Sequence, residues 1–141
     1  MPGPEIPGTD HVCRLCGPSK CIDGQPFGAA FMPRPHEPYL STNWLECTAA
    51  PTRADQLTLI RQYLTDKGMT LPANGRFAVL HLQSVIDYVR SRAPDARAIT
   101  AHHEPEPSDP THSGIYGYAA DDHLIADLIA QVVNEVYKAR G

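Results

Sequence analysis

Six side chains able to handle protons or hold a cation fall within eleven residues: His102, His103, Glu104, Glu106, Asp109 and His112. Histidine exchanges a proton near neutral pH, and a neighbouring carboxylate can orient it, so the set suits general acid–base work or a divalent metal. The geometry of a chain limits which of them act together. Neighbours on an extended segment point to opposite sides, so His102, His103 and Glu104 cannot all aim at one point. His102 with Glu104, or His103 with His112, are the pairs to expect. His102, His103 and His112 are therefore the candidate catalytic residues. The alternative is a solvated polar loop stiffened by Pro105, Pro107 and Pro110.

The second cluster is made of thiols. Cys13, Cys16 and Cys21 lie within nine residues, and Cys47 follows. Cys-x-x-Cys can chelate one tetrahedral zinc, with Cys21 as a third ligand and Cys47, His11 or His36 as a fourth. Cys13, Cys16, Cys21 and Cys47 are the candidate metal ligands, and zinc is the cofactor they would take. The first three positions have the spacing of a zinc knuckle, but Cys21 stands where that motif has histidine and Pro26 where it has its last cysteine. Redox chemistry is disfavoured because Gly17-Pro18 directly after Cys16 prevents a helix from starting there. Small buried apolar residues would explain the same cysteines without any ligand.

Other signals are thinner. The chain contains no His-Glu-x-x-His, no Gly-x-Ser-x-Gly elbow and no phosphate loop, only Gly114-x-x-Gly117. Arg14, then Ser41 or Thr42, then Glu46 run basic, hydroxyl, acidic. That order resembles the strand residues of ADP-ribosyl transfer folds, at a spacing compressed relative to them. Trp44 reads as a core anchor, and His81 as a core histidine inside an apolar strand.

These residues have to be carried by an uneven chain. Nine of the 14 prolines lie in residues 1–51, which excludes long helices there. Residues 1–10 read as a flexible tail, followed by short strands at Asp10 to Cys16, Phe27 to Met32 and Tyr39 to Trp44. Thr52 caps a helix through Leu57, Ile60, Tyr63 and Leu64 that stops at Gly68. Phe77 to Leu82 is a continuous apolar run suited to a buried strand. Ser84 caps the next helix, which ends at Ala93-Pro94. Strands at Ala96 to Ala101 and Ile115 to Tyr118 flank the histidine loop. The last twenty residues predict a long amphipathic helix with Leu124, Ile125, Leu128, Ile129, Val132, Val133 and Val136 on one stripe. Asp121 or Asp122 caps its start, and Lys138 and Arg140 close it.

The expected fold is α+β: a small mixed or antiparallel sheet with about three helices, the C-terminal one packed on it, as a single domain over residues 11–141. A length of 141 residues fits one domain, and 42% hydrophobic content is enough for a core. A net charge of −4 with 12 Lys and Arg shows no basic stripe for nucleic acid. No apolar run is long enough to span a bilayer. The N-terminus lacks the pattern of a secretory signal, so a cytoplasmic protein with reduced thiols is expected. Two functions remain in view. One is an accessory or regulatory protein that binds a protein partner or itself, with a structural zinc. The other is a small hydrolase or transferase using the loop at 102–112. A concave pocket joining one of the three histidines to a carboxylate would favour the enzyme, and an open sheet edge or apolar patch the binder.

Overall fold

The computed structural model describes all 141 residues. In chain order the elements are β1 (His11–Cys16), the short pair β2 (Cys21–Ile22) and β3 (Gln25–Pro26), β4 (Leu40–Trp44), α1 (Arg53–Asp66), β5 (Arg76–His81), α2 (Leu82–Arg92), β6 (Thr100–His103), β7 (His112–Tyr116), α3 (His123–Gln131) and β8 (Glu135–Lys138). β2 and β3 pair only with each other. The other six strands form one sheet in the order β6-β7-β4-β1-β5-β8. Every neighbouring pair is antiparallel. The fold is thus α+β, with the antiparallel sheet and the three helices that the sequence predicts.

Alternation along each strand divides the side chains between two faces. Val12, Cys16, Leu40, Ala78, Leu80, Ala101 and Ile115 join the larger core with α2 and α3. Cys13, Phe77 and Val79 face the other way and pack with Leu45 against Leu57, Ile60 and Leu64 of α1. The two helical layers differ in reach. The strand residues beneath α1 come from β1 and β5, with Tyr137 of the neighbouring β8 packed at their edge. On the same face, β4, β7 and β6 present Ser41, Asn43, His112, Gly114 and His102, as the registers Cys13↔Asn43↔His112 and Ser41↔Gly114↔His102 require. No helix covers that half, and its side chains are polar, although Asn43 and His112 are still buried by the segments around them.

Local chemistry explains where elements begin. Thr52 accepts the Asp55 amide at 3.1 Å, and Gly68 takes φ +89 just beyond α1. Asp122 caps α3 by accepting the Ile125 amide at 3.2 Å. At α2, the expected cap at Ser84 is displaced: the helix starts at Leu82 directly after β5, and the Ser84 hydroxyl bonds His81 Nδ1 at 2.7 Å. The expected strand at Phe27–Met32 is a 3-10 turn over Gly28–Phe31 that packs against α3. A Cβ on Gly28 would lie 1.8 Å from an Asp127 carboxylate oxygen, so the close approach needs glycine.

The long terminal helix is corrected. α3 stops at Gln131, and β8 follows at Glu135–Lys138 as an edge strand on β5. Val132-Val133 is a β-branched pair with weak helix preference, and Asn134 turns the chain so that its amide reaches Val79 O at 2.8 Å. The edge of β5 offers ladder hydrogen bonds that continued helix could not satisfy. Lys138 therefore pairs with Arg76 across the strands, and Arg140 donates to Leu71 O at 2.8 Å.

Residues 1–10, expected as a tail, run beside β6. His103 N donates to Pro4 O at 2.8 Å and Ile6 N to Ala101 O at 2.9 Å, with Ile6 buried. This segment covers the outer edge of β6.

The core assignment can be checked on α3. Ile129 is fully buried, whereas Leu124 on the same helix is 47% exposed. Ile129→Ala should cost about 2–5 kcal/mol in urea unfolding, and Leu124→Ala about 0.5 kcal/mol or less. Equal losses would contradict the packing.

Candidate functional site

The uncovered half of the α1 face holds a cavity of about 440 Å³. Its floor is Ser41, Asn43 and His112 from β4 and β7. Leu64 and Lys67 of α1, the segment at Met69 and Thr70, and the segment from Met32 to Glu37 wall it. Leu15 of β1 borders it on this face, and Arg14, which leaves β1 on the face of Val12 and Ala78, reaches its lining beside Ser41 O.

His112 is held in one orientation by main chain. Its Nδ1 lies 2.9 Å from Glu104 O, and a carbonyl oxygen only accepts, so Nδ1 carries the proton. The ladder continues in the reverse direction, with Glu104 N donating to His112 O at 2.9 Å. Nε2 is then an acceptor, and the Ser41 hydroxyl stands 3.3 Å from it. Glu37 Oε2 is also 3.3 Å from Ser41 Oγ. One hydroxyl proton thus has two acceptors within reach. Hydroxyl, neutral imidazole and an orienting acceptor form the arrangement that activates a nucleophile, at the longer separation usual without a substrate. Tyr39 flanks the pair with its ring 5.9 Å from that of His112. It lies across Gly114, where a Cβ would come within 2.4 Å of the Tyr39 ring.

Asp109 anchors this arrangement from below. Its carboxylate is fully buried and accepts from Asn43 Nδ2 at 2.8 Å, Lys67 Nζ at 2.9 Å, Thr111 Oγ1 at 2.8 Å and Thr111 N at 3.1 Å. Burial alone would raise its pKa, but the bonds from Lys67, Thr111 and Asn43 outweigh it and hold the carboxyl below its usual range. Burial likewise works against the Lys67 charge, and its bonds to Glu106 and Asp109 push that pKa up on balance.

Of the three histidines singled out in the sequence, only His112 lines this cavity. His102 shares its face but points its ring at the N-terminal segment, with Nδ1 2.8 Å from Gly3 O and Nε2 2.9 Å from Thr100 Oγ1. His103 pairs with Ser113 and so faces the opposite side of the sheet from His112. There its Nε2 bonds Pro110 O at 2.6 Å and lies 4.0 Å from Cys47 Sγ. The thiol shares that carbonyl at 3.5 Å, so His103 offers it no free acceptor. Burial and then the Asp109 charge push the Cys47 pKa up. Neither expected histidine pair forms.

The structure does not bring the four cysteines together. Cys13 and Cys16 are three residues apart on β1 and enter opposite cores. A spacing that chelates in a loop separates the sulfurs across a strand. All four thiols are free, and no three His, Cys, Asp or Glu side chains converge as a ligand set. Burial raises Cys13, and raises Cys16 to about 12. Glu46 leaves the Arg14–Ser41 order: its carboxylate binds His11 N at 2.8 Å and Nδ1 at 2.7 Å. Ser41, Glu37 and Lys67 were not legible as a group. The available signal was Ser41 and Asn43, alternate polar residues inside a strand, which mark one face without a helix.

In the native protein a thiol reagent should label the half-exposed Cys21 and Cys47, with Cys13 and Cys16 reacting only on unfolding. Four fast thiols would contradict the burial. Asp109→Asn should cost about 3 kcal/mol, since it leaves Lys67 without its buried partner. The sign with pH follows from a lowered native pKa against an unfolded value of about 3.9. The Asp109 contribution is complete above the unfolded value and lost as pH falls through the native one. Denaturation followed from pH 7 to pH 2 should show a steeper acid loss in the parent than in Asp109→Asn; equal slopes would contradict it. No protein-family model, no curated protein and no solved structure matches this chain.

Proposed function

We propose that the chain is a small hydrolase or transferase whose reacting groups are Ser41 and His112. The observation that carries this is His112 Nε2, freed as an acceptor by the Nδ1 bond to Glu104 O and placed 3.3 Å from the Ser41 hydroxyl. In the reaction, Ser41 Oγ bonds to an electrophilic acyl or phosphoryl centre while its proton passes to His112 Nε2. The leaving group departs with that proton. Water, or an acceptor hydroxyl, then repeats the attack, giving its proton to His112 and regenerating the Ser41 hydroxyl with it. Glu37, within reach of the same hydroxyl, helps orient it.

The accessory-protein reading rests on a different feature, the outer edge of β8, which no strand of this chain pairs. A partner strand could add there. The cavity favours the enzyme because one of the three candidate histidines, His112, meets the Ser41 hydroxyl, which also reaches the Glu37 carboxylate, in a concave, polar setting.

The test is turnover of chromogenic acyl and phosphoryl esters, such as p-nitrophenyl acetate and p-nitrophenyl phosphate. His112→Ala and Ser41→Ala should lower it by about 10²-fold or more at unchanged melting temperature, and His103→Ala should leave it within about twofold. Equal turnover in the parent and His112→Ala would overturn the proposal.

A further inference from the structure

Six charged side chains line the cavity: Arg14, Lys20, Arg34, Lys67, Glu37 and Glu106. Lys67 is paired with two carboxylates, Glu106 at 2.8 Å and Asp109 at 2.9 Å, which leaves one negative charge over. The other three cations take no part in any ion pair of the chain. Three free cations therefore confront Glu37 and that one surplus carboxylate charge, a balance of one positive charge in a protein whose net charge is −4. The local field of the cavity has the opposite sign to the whole molecule.

Lys20 and Arg34 are exposed, where an unpaired cation is ordinary. Arg14 is half-buried, and that needs a reason. Its Nε donates to Ala30 O at 2.9 Å and its Nη1 to Ser41 O at 3.0 Å. The register between β1 and β4 is carried by Val12↔Trp44 and Cys13↔Asn43, so the guanidinium takes over where that pairing ends. Those two bonds lock the fork in place. Nη2 has no acceptor in the protein, and no polar side-chain atom is both buried and unsatisfied, so this group meets the open space of the cavity. Burial lowers the Arg14 pKa, which an anion beside it would offset. A fixed guanidinium with a free edge is the geometry that receives an oxyanion.

We propose that Arg14, Lys20 and Arg34 bind a phosphate dianion, and that the ligand of this cavity is a small organic phosphate whose body lies against Met32, Leu64 and Met69. Three cations free of ion pairs, one of them a locked guanidinium fork, match the three terminal oxygens of a phosphate better than the two of a carboxylate. The apolar side chains Met32, Leu64 and Met69 in the same lining call for an organic body rather than inorganic phosphate alone. That this ligand is the substrate rests on the catalytic reading of Ser41 and His112; that it binds does not.

Calorimetric titration with phenyl phosphate, inorganic phosphate and benzoate tests the proposal. Phenyl phosphate should bind about tenfold more tightly than either of the others. Because Arg14 also serves two backbone carbonyls, the cleaner variant is Lys20→Gln with Arg34→Gln, which should weaken phenyl phosphate about tenfold with an unchanged melting temperature. Arg14→Lys keeps a charge but loses the fork, and should weaken it as well. Equal binding of phenyl phosphate and benzoate, or unweakened binding in the double variant, would overturn the proposal. His112→Ala separates the two readings. If it loses turnover while the parent fails to bind phenyl phosphate, the phosphate ligand falls and the catalytic pair stands. If phenyl phosphate binds as expected and turnover is indifferent to His112, the anion site stands and the catalytic pair falls.

Discussion

A carboxylate removed from water is costly unless every lone pair is used, and Asp109 meets that condition with hydrogen bonds from three residues. Those residues belong to different parts of the fold. Asn43 is on β4, Thr111 immediately precedes β7, and Lys67 is the residue at which α1 ends. The ion pair therefore sets how far the end of α1 stands from the sheet, and with it the height of the cavity wall. Lys67 also lies where the negative end of the α1 dipole favours a cation, so helix and carboxylate attract the same charge. Replacing the pair by apolar groups would fill the space, but it would remove the polar floor that Asn43 shares with Ser41 and His112.

The cavity exists because helical cover is unequal. α2 and α3 form one continuous layer with a twenty-residue core, whereas the α1 side has a core of seven. A six-stranded sheet is too wide for a single fourteen-residue helix. The half left open must be polar in water, and a polar concavity bordered by a helix end is where catalytic and binding groups tend to be placed. The same inequality accounts for the mixed character of β4, whose Leu40 enters the large core while Ser41 and Asn43 face the cavity.

Elements with both a cap and a stripe were legible in the sequence. Thr52 to Gly68 and the apolar run from Phe77 are found as read, because local signals and packing agree there. The terminal valines were not legible. Val132, Val133 and Val136 fit a helical stripe as well as a strand, and the deciding fact is the unpaired edge of β5, which no local pattern reveals. Register was hidden in the same way. Cys-x-x-Cys and His102-His103 are suggestive as strings, yet a strand sends Cys13 and Cys16, or His102 and His103, to opposite faces. Ser41 and His112 are 71 residues apart and meet only because β4 pairs with β7.

Part of the site leaves no mark on the sequence at all. The partner that fixes the His112 tautomer is the main-chain carbonyl of residue 104, which any side chain at that position would supply equally. The Glu104 side chain is occupied elsewhere, accepting from Gly3 N and from the Tyr116 hydroxyl. Burial, followed by that Tyr116 bond, pushes the tyrosine up to about 12, so it stays protonated and keeps donating. Glu104 thus ties the N-terminal segment and β7 together through its side chain while its backbone aims the histidine. Gly3 also accepts from His102 through its carbonyl. The first residues of the chain are in this way built into the support of His112, although none of them is in the cavity around Ser41. His112 can be singled out from its residue type alone; the groups that orient it are visible only once the strands are paired.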